Sequence, residues 1–529
     1  MNFFVNALMQ KQKSGIEHAE LTRLRLFNQH DTPARIVLRN YDPVLHQTLK
    51  DDGVDEAQVI NMFDYYQQTQ ATPFNPTKVK DLDFGVLNTT TEFEAEHHRY
   101  LVYTPQHQLV ARVNVRDDTE EVTSTELFDG FNNLYRVDFY DIRGFVTLQQ
   151  WYSPDNKIEN EVWLTPAGVP VVHAFNRADV NGDISQSGWL LTPVNGQVFS
   201  FDTIDELFGH FLNQLNDDFW DDKQPNVFIL DRSTIADYTM IHFRKPAYRV
   251  LHFHNAQASA QDPMHSIVNN NYEFDLSVMD QFDASITATK RQAKDIEARF
   301  HPRTPIFTIA VGVVPERLLN APRVPVSDRE FGKMVVFARV APEKQLDDLV
   351  RALGIVHKDY PQVSLDIYGY ADSTNNYEAR RKVLEAAKEV GMEDQVQLKG
   401  YTTDIDTVEN KAMMYGLTSV MEGFNLAIME ASAHGLISFT YDVNYGPNEI
   451  VEDKVSGRVT PYKDIPAMAE AIKQVLADKS LAQKYSDGAY DSSKRYAPDA
   501  VWREWQALLD EAQKRWPAKL AALPTAAEK

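Results

Sequence analysis

The chain has 529 residues and a formal net charge of -23, with 43% hydrophobic and 24% charged residues. This length allows roughly two to four domains, and the composition is that of an ordinary globular protein. The negative charge argues against general nucleic-acid binding, because a polyanion would be repelled at long range. The sequence contains no cysteine, which excludes disulfide scaffolds, cysteine nucleophiles and thiolate metal sites.

The first residues predict a soluble protein with a nucleotide-binding start. Residues 1–8 lack the length and basic lead-in of a signal peptide, and the chain holds no apolar run of membrane-spanning length. A predicted strand over 2–8 precedes a glycine-containing loop, a helical pattern over 17–27 and a strand over 34–41. This order is typical of a mononucleotide-binding unit, although the full G-x-G-x-x-G is missing. Gly15 either gives a phosphate access to backbone or forms a plain tight turn.

Residues 79–198 have a different hydrophobic pattern from the segments on either side. Short alternating segments such as 109–115 and 145–152 are separated by turn signals, which predicts an antiparallel β domain over about 79–198. Asp81 and Asp83 form a D-x-D at its entry, and we interpret this as an exposed strand edge rather than a metal site.

Parallel strands and helices then resume, and one predicted strand, 248–254, ends in two histidines. His252 and His254 share one face of that strand, at the carboxyl end where parallel sheets place ligand groups. A metal site would need further ligands, and we expect none. His254 is therefore a candidate ligand contact or a hydrogen-bonded histidine at a strand end. The basic residues of the following helix form a solvated face or suit an anionic acceptor: Lys290, Arg291, Lys294 and Arg299.

A second α/β unit begins near residue 330. Its first strand leads to Arg339, and Pro342 favours a helix start with Lys344 in the first turn, over 343–353. A lysine at the positive end of a helix dipole costs about 0.3–1 kcal/mol. Arg339, at the end of the adjacent strand, adds a second positive charge. A bound diphosphate would make both positive charges favourable. The pattern therefore predicts a phosphate clamp.

A short stretch of this unit predicts an anion-binding helix. Residues 426–433 are good helix formers, Gly423 permits a sharp turn into the helix, and Gly435 can end it. Asn425 can cap the first turn. The free amides at the helix start form an anion site: Phe424, Asn425 and Leu426.

A glutamate stands at each end of this element. Eight helical residues span roughly 12 Å, whereas retaining glycosidases need carboxyl groups about 5–5.5 Å apart. Glu422 and Glu430 therefore suit an extended ligand with hydroxyls at each end and a phosphate between, such as a nucleotide sugar. The alternative is a buried helix with one capping acid and one solvated acid.

These motifs resemble a known family. Arg339-x4-Lys344, Glu422-Gly-Phe-x5-Glu430 and Tyr445-Gly-Pro-Asn-Glu449-Ile are similar to the signature of the retaining family-four glycosyltransferases. The opening Phe3-Phe-Val-Asn, the segment Ser14-Gly-Ile-Glu-His-Ala19 and the β insertion resemble the wall teichoic acid α-glycosyltransferases of the TagE/TarM type. The resemblance covers essentially the whole chain except its tail. It implies the GT-B fold, in which two Rossmann-like domains face a cleft.

The resemblance also implies how the nucleotide is held. Arg339 and Lys344 would bind the UDP diphosphate, with Gly15 giving it backbone room from the opposite domain. The amides that would cradle the distal phosphate are those of Gly423, Phe424, Asn425 and Leu426.

The sugar contacts follow from the same resemblance. Glu430 would contact the ribose, and Glu422 and His254, the expected catalytic residues, would contact the donor sugar. The implied mechanism is front-face, with the leaving phosphate taking the acceptor proton while the clamp stabilises its charge. No metal or other cofactor is expected.

The resemblance suggests the following domain boundaries. They are an N-terminal Rossmann-like acceptor domain (1–78 and 199–315), an inserted β domain (79–198), a C-terminal Rossmann-like nucleotide-sugar domain (316–490), a helix packing back on the first domain (491–517) and a loose tail (518–529).

The expected activity is transfer of glucose from UDP-glucose to poly(glycerol phosphate) wall teichoic acid in α linkage. Two related alternatives are transfer of N-acetylglucosamine to poly(ribitol phosphate) and glycosylation of a Ser/Thr-rich surface protein. A third is a non-catalytic chaperone or partner subunit with the same fold. The expected partners are a UDP-sugar and an anionic polymer, without nucleic acid. We also expect a homotrimer formed through the β insertion, in the cytoplasm or at the inner face of the membrane.

Overall fold

The computed structural model describes residues 1–11, 13–117, 119–193, 196–259 and 261–522. The chain divides into two compact units. Unit 1 comprises Met1–Lys13, Pro33–Ala247 and the C-terminal residues from Ala518, and unit 2 comprises Ser14–Thr32 and Tyr248–Pro517. Among the described helices, none is both long and apolar enough to cross a membrane.

The elements of residues 1–201 follow in chain order. They are β1 (Asn2–Asn6), α1 (Gly15–Gln29), β2 (Ala34–Leu38), α2 (Leu45–Asp51), β3 (Val59–Asn61), α3 (Met62–Gln67), β4 (Thr90–Glu94), β5 (Arg99–Tyr103), β6 (Leu109–Val115), β7 (Val122–Phe128), β8 (Leu134–Tyr140), β9 (Val146–Tyr152), β10 (Ile158–Leu164), β11 (Pro170–Ala178), β12 (Ile184–Leu191) and β13 (Phe199–Phe201).

The elements of the remaining chain are mostly alternating helices and strands. They are α4 (Ile204–Asp218), β14 (Val227–Leu230), α5 (Asp237–Ile241), β15 (Tyr248–Phe253), α6 (Glu273–Ser277), β16 (Ala284–Thr287), α7 (Lys290–Phe300), β17 (Ile306–Thr308), α8 (Glu316–Leu319), β18 (Lys333–Phe337), α9 (Leu346–His357), β19 (Ser364–Tyr368), α10 (Thr374–Val390), β20 (Val396–Gly400), α11 (Ile405–Lys411), β21 (Met414–Leu417), α12 (Leu426–Ala433), β22 (Ile437–Tyr441), α13 (Pro447–Ile450), β23 (Gly457–Thr460), α14 (Ile465–Ala477), α15 (Lys479–Ser493) and α16 (Pro498–Ala521).

Unit 1 contains two kinds of sheet. Four parallel strands lie in the order β3-β2-β1-β14. The inserted segment forms ten antiparallel strands, β4 to β13, each paired with its neighbour in sequence. The alternating pattern of the sequence therefore predicted this sheet correctly, because side chains on successive strand positions point to opposite faces.

Unit 2 is built on parallel strands. Three of them, β15, β16 and β17, pair in sequence order. Six more lie in the order β20-β19-β18-β21-β22-β23. Successive residues of β18 serve the two faces of this sheet: Val336 packs in one hydrophobic cluster, and Val335 packs with α12 in another. A strand buried on both faces reads as a continuous apolar run, as the sequence of β18 does.

The last helix, α16, packs within unit 2 through its tryptophans. The rings of Trp502 and Trp505 lie 5.3 and 5.5 Å from the ring of Phe27 in α1. The helix continues past Pro517 to Ala521. The predicted loose tail therefore begins within a helix, and residues 523–529 lie outside the described part of the chain. The predicted domain boundaries stay a prediction.

Candidate functional site

The helix α12 begins and ends where the sequence predicts. Asn425 lies at φ 80° and its side chain accepts a hydrogen bond from the amide of Ile428 at 3.0 Å, which caps the first turn. The chain leaves the helix through Gly435, whose φ is 73°. Local propensity and capping thus fix this element, which carries the candidate phosphate-binding amides at its start.

Pro342 begins a helical turn as predicted, but Lys344 does not lie in the first turn of an α-helix over 343–353, and that part of the prediction was wrong. Pro342–Lys344 forms a single 3-10 turn, Gln345 takes a left-handed conformation with φ 45°, and α9 begins at Leu346. The turn is attached to the end of β21, because the Thr418 hydroxyl donates to the carbonyls of Lys344 and Gln345 at 3.1 and 2.8 Å. Lys344 remains next to the positive end of α9, and the Glu422 carboxylate 2.7 Å from its ammonium offsets this unfavourable contact.

Lys344, Glu422 and Ser419 form a compact polar cluster. The Lys344 ammonium donates to Glu422 Oε1 at 2.7 Å, and the Ser419 hydroxyl donates to the same oxygen at 2.6 Å. The lysine and glutamate side chains are only 18% and 12% exposed. Within the described residues, Glu422 Oε2 carries no hydrogen bond. The cluster therefore fixes the carboxylate and leaves one oxygen available to accept a hydrogen bond from a ligand.

Arg339 lies two residues beyond β18 and is held by two carboxylates. Its guanidinium donates to Glu343 at 2.5 Å and to Asp372 at 3.0 Å. Glu343 is the neighbour of Lys344 in the chain, and its carbonyl accepts the amide of Val420 at 2.8 Å. The two predicted clamp residues therefore belong to one connected loop system at the carboxyl ends of β18 and β21.

His254 lies against the loop that carries Glu422. A methyl group added to Gly423 would lie 2.2 Å from the carbonyl oxygen of His254, so only glycine fits there. The Tyr272 hydroxyl accepts hydrogen bonds from the amides of His254 and Asn255 at 3.1 and 3.0 Å. The rings of His252 and His254 are 4.0 Å apart, as their predicted common face requires. The structure thus brings His254 and Glu422 to adjacent loops.

Glu430 is half-buried, and burial together with the charge of Glu409 raises its pKa to about 7. The charge of His434 opposes this effect. Glu409 is itself fully buried, with an oxygen 2.6 Å from His434 Nδ1. The pKa is this high because the carboxylate loses more hydration than the nearby positive charges restore, which is typical of a group that meets a ligand.

Gly15 is the first residue of α1, next to the cap Ser14. The amide of Ser14 donates to Glu17 Oε2 at 2.7 Å, and the Ser14 side chain accepts the amide of Ile16 at 3.3 Å. A methyl group added to Gly15 would meet no atom within 4 Å. This capping box sets the helix start and leaves open space beside Gly15.

Metal-binding residue types do come together in unit 1, but their charge is already balanced. His46, Asp64 and Asp141 form such a group. The Arg143 guanidinium lies 3.1 Å from Asp64 and 2.7 Å from Asp141. A guanidinium already supplies the positive charge that a metal would bring. The D-x-D acids serve turns: Asp81 accepts the Lys78 amide at 3.1 Å.

Sequence reasoning missed two residues of the site. Ser419 lies three positions before Glu422, and a short hydroxyl in an apolar run gives no periodic signal. In the sequence Tyr445 is only part of the motif that ends at Ile450, yet its amide donates to the Glu422 carbonyl at 2.7 Å. The close spacing of Ser419 and Glu422 is the signal that could have found the serine.

The comparisons with known proteins agree with this geometry. Residues 321–492 match the family of glycosyl transferases group 1. The solved structure of pneumococcal O-GlcNAc transferase GtfA in complex with UDP and GlcNAc covers 97% of this chain and 98% of its own, with a TM-score of 0.80 and 20% identity. That of TarM covers 96% and 98%, with a TM-score of 0.79 and 21% identity. The chain therefore has the predicted GT-B fold, and its second half contains a group 1 glycosyl transferase domain.

Three relatives make the class more specific. The chain is 25% identical to the GtfA subunit of the UDP-N-acetylglucosamine–peptide N-acetylglucosaminyltransferase of Streptococcus parasanguinis, over 94% of this chain and 96% of that protein. It is 26% identical to the poly(glycerol-phosphate) α-glucosyltransferase of Bacillus subtilis, over 78% and 57%. It is 23% identical to the poly(ribitol-phosphate) α-N-acetylglucosaminyltransferase of Staphylococcus aureus, over 94% and 97%. The predicted resemblance to the TagE/TarM type is confirmed, and residues 321–492 match the group 1 glycosyl transferases.

Proposed function

We propose that this protein is a retaining glycosyltransferase that moves glucose from UDP-glucose to hydroxyls of poly(glycerol phosphate) wall teichoic acid in α linkage. The observation that carries the proposal is the cluster of Lys344, Ser419 and Glu422 immediately before α12. It combines a cation for a phosphate, a fixed carboxylate for a sugar hydroxyl and a capped helix start whose amides can bind an anion.

The reaction follows from these parts. An acceptor hydroxyl attacks the anomeric carbon on the face from which UDP leaves, the bond between that carbon and the phosphate oxygen breaks, and the acceptor proton passes to the departing phosphate. Lys344 and Arg339 stabilise the charge that develops on the phosphate. The amides from Gly423 to Leu426 bind its oxygens, and Gly15 leaves room for the diphosphate.

The two glutamates and His254 hold the donor at its ends. Glu422 accepts a hydrogen bond from the donor sugar through its free Oε2, and His254 meets the sugar from the adjacent loop. Glu430 accepts the ribose hydroxyls, which replace the water that its half-buried carboxylate has lost. No step in this scheme needs a divalent metal, so we expect turnover to persist in excess EDTA.

The acceptor assignment draws on similarity and local charge. The Bacillus subtilis relative acts, by its name, on poly(glycerol phosphate). A chain with a net charge of -23 needs a local basic surface to meet such a polyanion. The start of α7 offers Lys290 and Arg291, whose amides lie 3.3 and 3.4 Å from the Glu449 carboxylate of the Tyr445 motif.

A second candidate function is transfer of N-acetylglucosamine to a Ser/Thr-rich protein. The observation that favours it is similarity to the Streptococcus parasanguinis GtfA subunit along nearly the whole of both chains, whereas the poly(glycerol-phosphate) enzyme matches over 57% of its length. A neutral polypeptide also avoids the repulsion that an acidic protein exerts on a polyanion. This function would add a partner subunit, as in the solved GtfA/B complex.

A donor and acceptor matrix tests both candidates. UDP-glucose and UDP-N-acetylglucosamine are each offered with poly(glycerol phosphate), poly(ribitol phosphate) and a Ser/Thr-rich polypeptide, and UDP release and the anomeric configuration of the product are measured. We expect the highest rate with UDP-glucose and poly(glycerol phosphate), with α product. A highest rate with the polypeptide selects the second candidate. UDP binding without turnover on any acceptor selects a non-catalytic partner subunit.

The β insertion is proposed to form a homotrimer that acts in the cytoplasm, at the inner face of the membrane. Its sheet exposes large aromatic side chains, among them Trp151 and Phe175, which are 38% and 39% exposed. Light scattering after gel filtration should give three times the 60.4 kDa chain mass. A monomeric mass would contradict the trimer and leave the transfer assignment intact.

A further inference from the structure

Tyr445 lies between the two loops that carry the candidate donor-sugar contacts. It follows β22 and precedes α13, within the motif that ends at Glu449 and Ile450, and its side chain is 0% exposed. Neither the phosphate clamp nor the two glutamates of the proposed site account for this motif. Its contacts reach in two directions, one through the backbone and one through the phenol.

The backbone around Tyr445 fixes the loop of Glu422. The Tyr445 amide donates to the Glu422 carbonyl at 2.7 Å, and the Glu422 amide donates to the Asn444 carbonyl at 3.2 Å. A methyl group added to Gly446 would lie 1.7 Å from the carbonyl oxygen of Phe424, so the two chains touch backbone to backbone. Both main-chain polar groups of Glu422 are therefore paired with one segment.

The phenol of Tyr445 reaches the loop of His254. Gln257 Nε2 donates to the Tyr445 hydroxyl at 2.6 Å. Gln292 Nε2 in turn donates to Gln257 Oε1 at 3.2 Å and to the carbonyl of Asn255 at 2.9 Å. Gln257 and Gln292 are both 0% exposed. In so dry an environment, each of these hydrogen bonds restricts the position of the loop that carries it.

We propose that Tyr445 is a positioning residue that fixes His254 relative to Glu422, so that both meet the donor sugar in a single arrangement. The inference rests on the proposed function, because it assigns a task only if these two residues contact a sugar. The Tyr445 backbone sets one contact and the phenol sets the other. The motif then serves the transfer step rather than UDP binding.

The expected effect follows from the cost of misplacement. Removal of the hydroxyl leaves the buried Gln257 amide without its acceptor, and the His254 loop can then shift relative to Glu422. A shift of about 1 Å can cost up to about 10²-fold in rate. None of the proposed diphosphate and ribose contacts lies on the His254 loop, so UDP affinity should be preserved.

The variant Tyr445→Phe tests the proposal, because it keeps the buried ring. We expect kcat for transfer to fall by about tenfold, with the Kd for UDP from calorimetry unchanged within about twofold. Tyr441→Phe is the matched control. It too is fully buried, but its hydroxyl meets Asp348 at 3.3 Å. We expect the control to keep the wild-type kcat.

A second variant separates positioning from general loosening. Gln257→Met removes the donor to the Tyr445 hydroxyl, and the double variant should lose no more activity than the worse single variant, because both act through one connection. Additive losses would overturn the proposal, as would a weakened UDP affinity in Tyr445→Phe. If the wild-type protein transfers the sugar and Tyr445→Phe has the same kcat, the inference about Tyr445 is overturned and the proposed function stands. A wild-type protein that neither binds UDP nor transfers a sugar would overturn the proposed function and this inference with it.

Discussion

The parallel six-stranded sheet of unit 2 and the ten-stranded antiparallel sheet of unit 1 use their polar side chains in opposite ways. Beyond the carboxyl ends of the parallel strands, the polar groups converge: Lys344 and Ser419 both donate to one oxygen of Glu422. In the antiparallel sheet the pairs are spread along the strands, as Arg112 and Glu126 are, at 3.1 Å. A parallel sheet therefore places its functional side chains together at the carboxyl ends of its strands. An antiparallel sheet distributes its polar pairs over an extended surface.

Loss of a clamp cation should be the largest effect. Lys344→Ala removes the charge that stabilises the departing phosphate and leaves Glu422 without its cation, so we expect turnover to fall by about 10²-fold or more while the protein stays folded. Arg339→Ala should act in the same direction. UDP release in the presence of donor and acceptor measures both.

The chain provides a matched control for Lys344. Lys382 on α10 also pairs with a glutamate at 2.7 Å, but its side chain is 51% exposed. Lys382→Ala should leave turnover unchanged, because an exposed ion pair contributes little. Equal losses in the two lysine variants would mean that Lys344 has no special role.

The two glutamates should separate sugar transfer from nucleotide binding. Glu422→Gln should lower kcat by about 10²-fold with little change in UDP affinity, because its carboxylate meets the sugar. Glu430→Gln should weaken UDP binding itself, by about tenfold, through loss of a charged acceptor for the ribose hydroxyls. Calorimetry with UDP alone distinguishes the two, and the reverse pattern would exchange their roles.

Ser419 should contribute less than the ionised groups. Ser419→Ala removes one of the two hydrogen bonds that hold Glu422 Oε1, and a hydrogen bond to a charged group is worth about 1.5–3 kcal/mol. We expect about a tenfold fall in kcat with unchanged UDP affinity. Ser432→Ala is the control, since that hydroxyl donates only to the Ile428 carbonyl within α12, at 2.8 Å. A wild-type rate in Ser419→Ala would show that Lys344 alone positions the carboxylate.

Substitutions in the β insertion should change the KM for the acceptor rather than the affinity for the donor. Trp151 and Phe175 lie on one face of the sheet, because both pair with Asn160 on the strand between them. Replacing both with serine removes aromatic surface on which the proposed trimer rests, and we expect a smaller oligomer whose KM for the polymer is about fivefold higher, with UDP affinity unchanged. Weaker UDP binding in this variant would contradict the assignment of acceptor binding to the inserted sheet and of nucleotide binding to the parallel sheet of unit 2.

The sequence predicted what depends on near neighbours. The α12 bounds followed from propensity, the Asn425 cap and Gly435, and the ten-stranded sheet followed from alternation. The start of α9 was wrong, because the left-handed Gln345 gives no signal in the sequence. Ser419 was missed although its partner Glu422 is only three positions away, because a single hydroxyl gives no periodic signal. The connection from Glu422 through Tyr445 to Gln257 joins residues up to 188 positions apart, which local patterns cannot reveal.

The smallest expected effect is a pH-dependent change in stability at Glu430. Its pKa is raised from 4.5 to about 7, so folding favours the protonated form. The stability that this contributes is fully present below pH 4.5 and is lost as the pH rises through about 7. Glu430→Gln cannot ionise, so its melting temperature should exceed that of the wild type at about pH 8, and the difference should shrink at about pH 5.

An exposed carboxylate gives the opposite sign and serves as the control. The pKa of Glu378 is lowered, first by its hydrogen bond to Lys382, so its contribution to stability is present above its ordinary pKa and is lost in acid. Glu378→Gln should therefore be slightly less stable than the wild type at about pH 8, and the two should converge in acid. If the melting temperatures of the wild type and Glu430→Gln stay parallel across this range, Glu430 is ionised at neutral pH in the free protein. Lost hydration would then not explain why Glu430 binds the ribose hydroxyls.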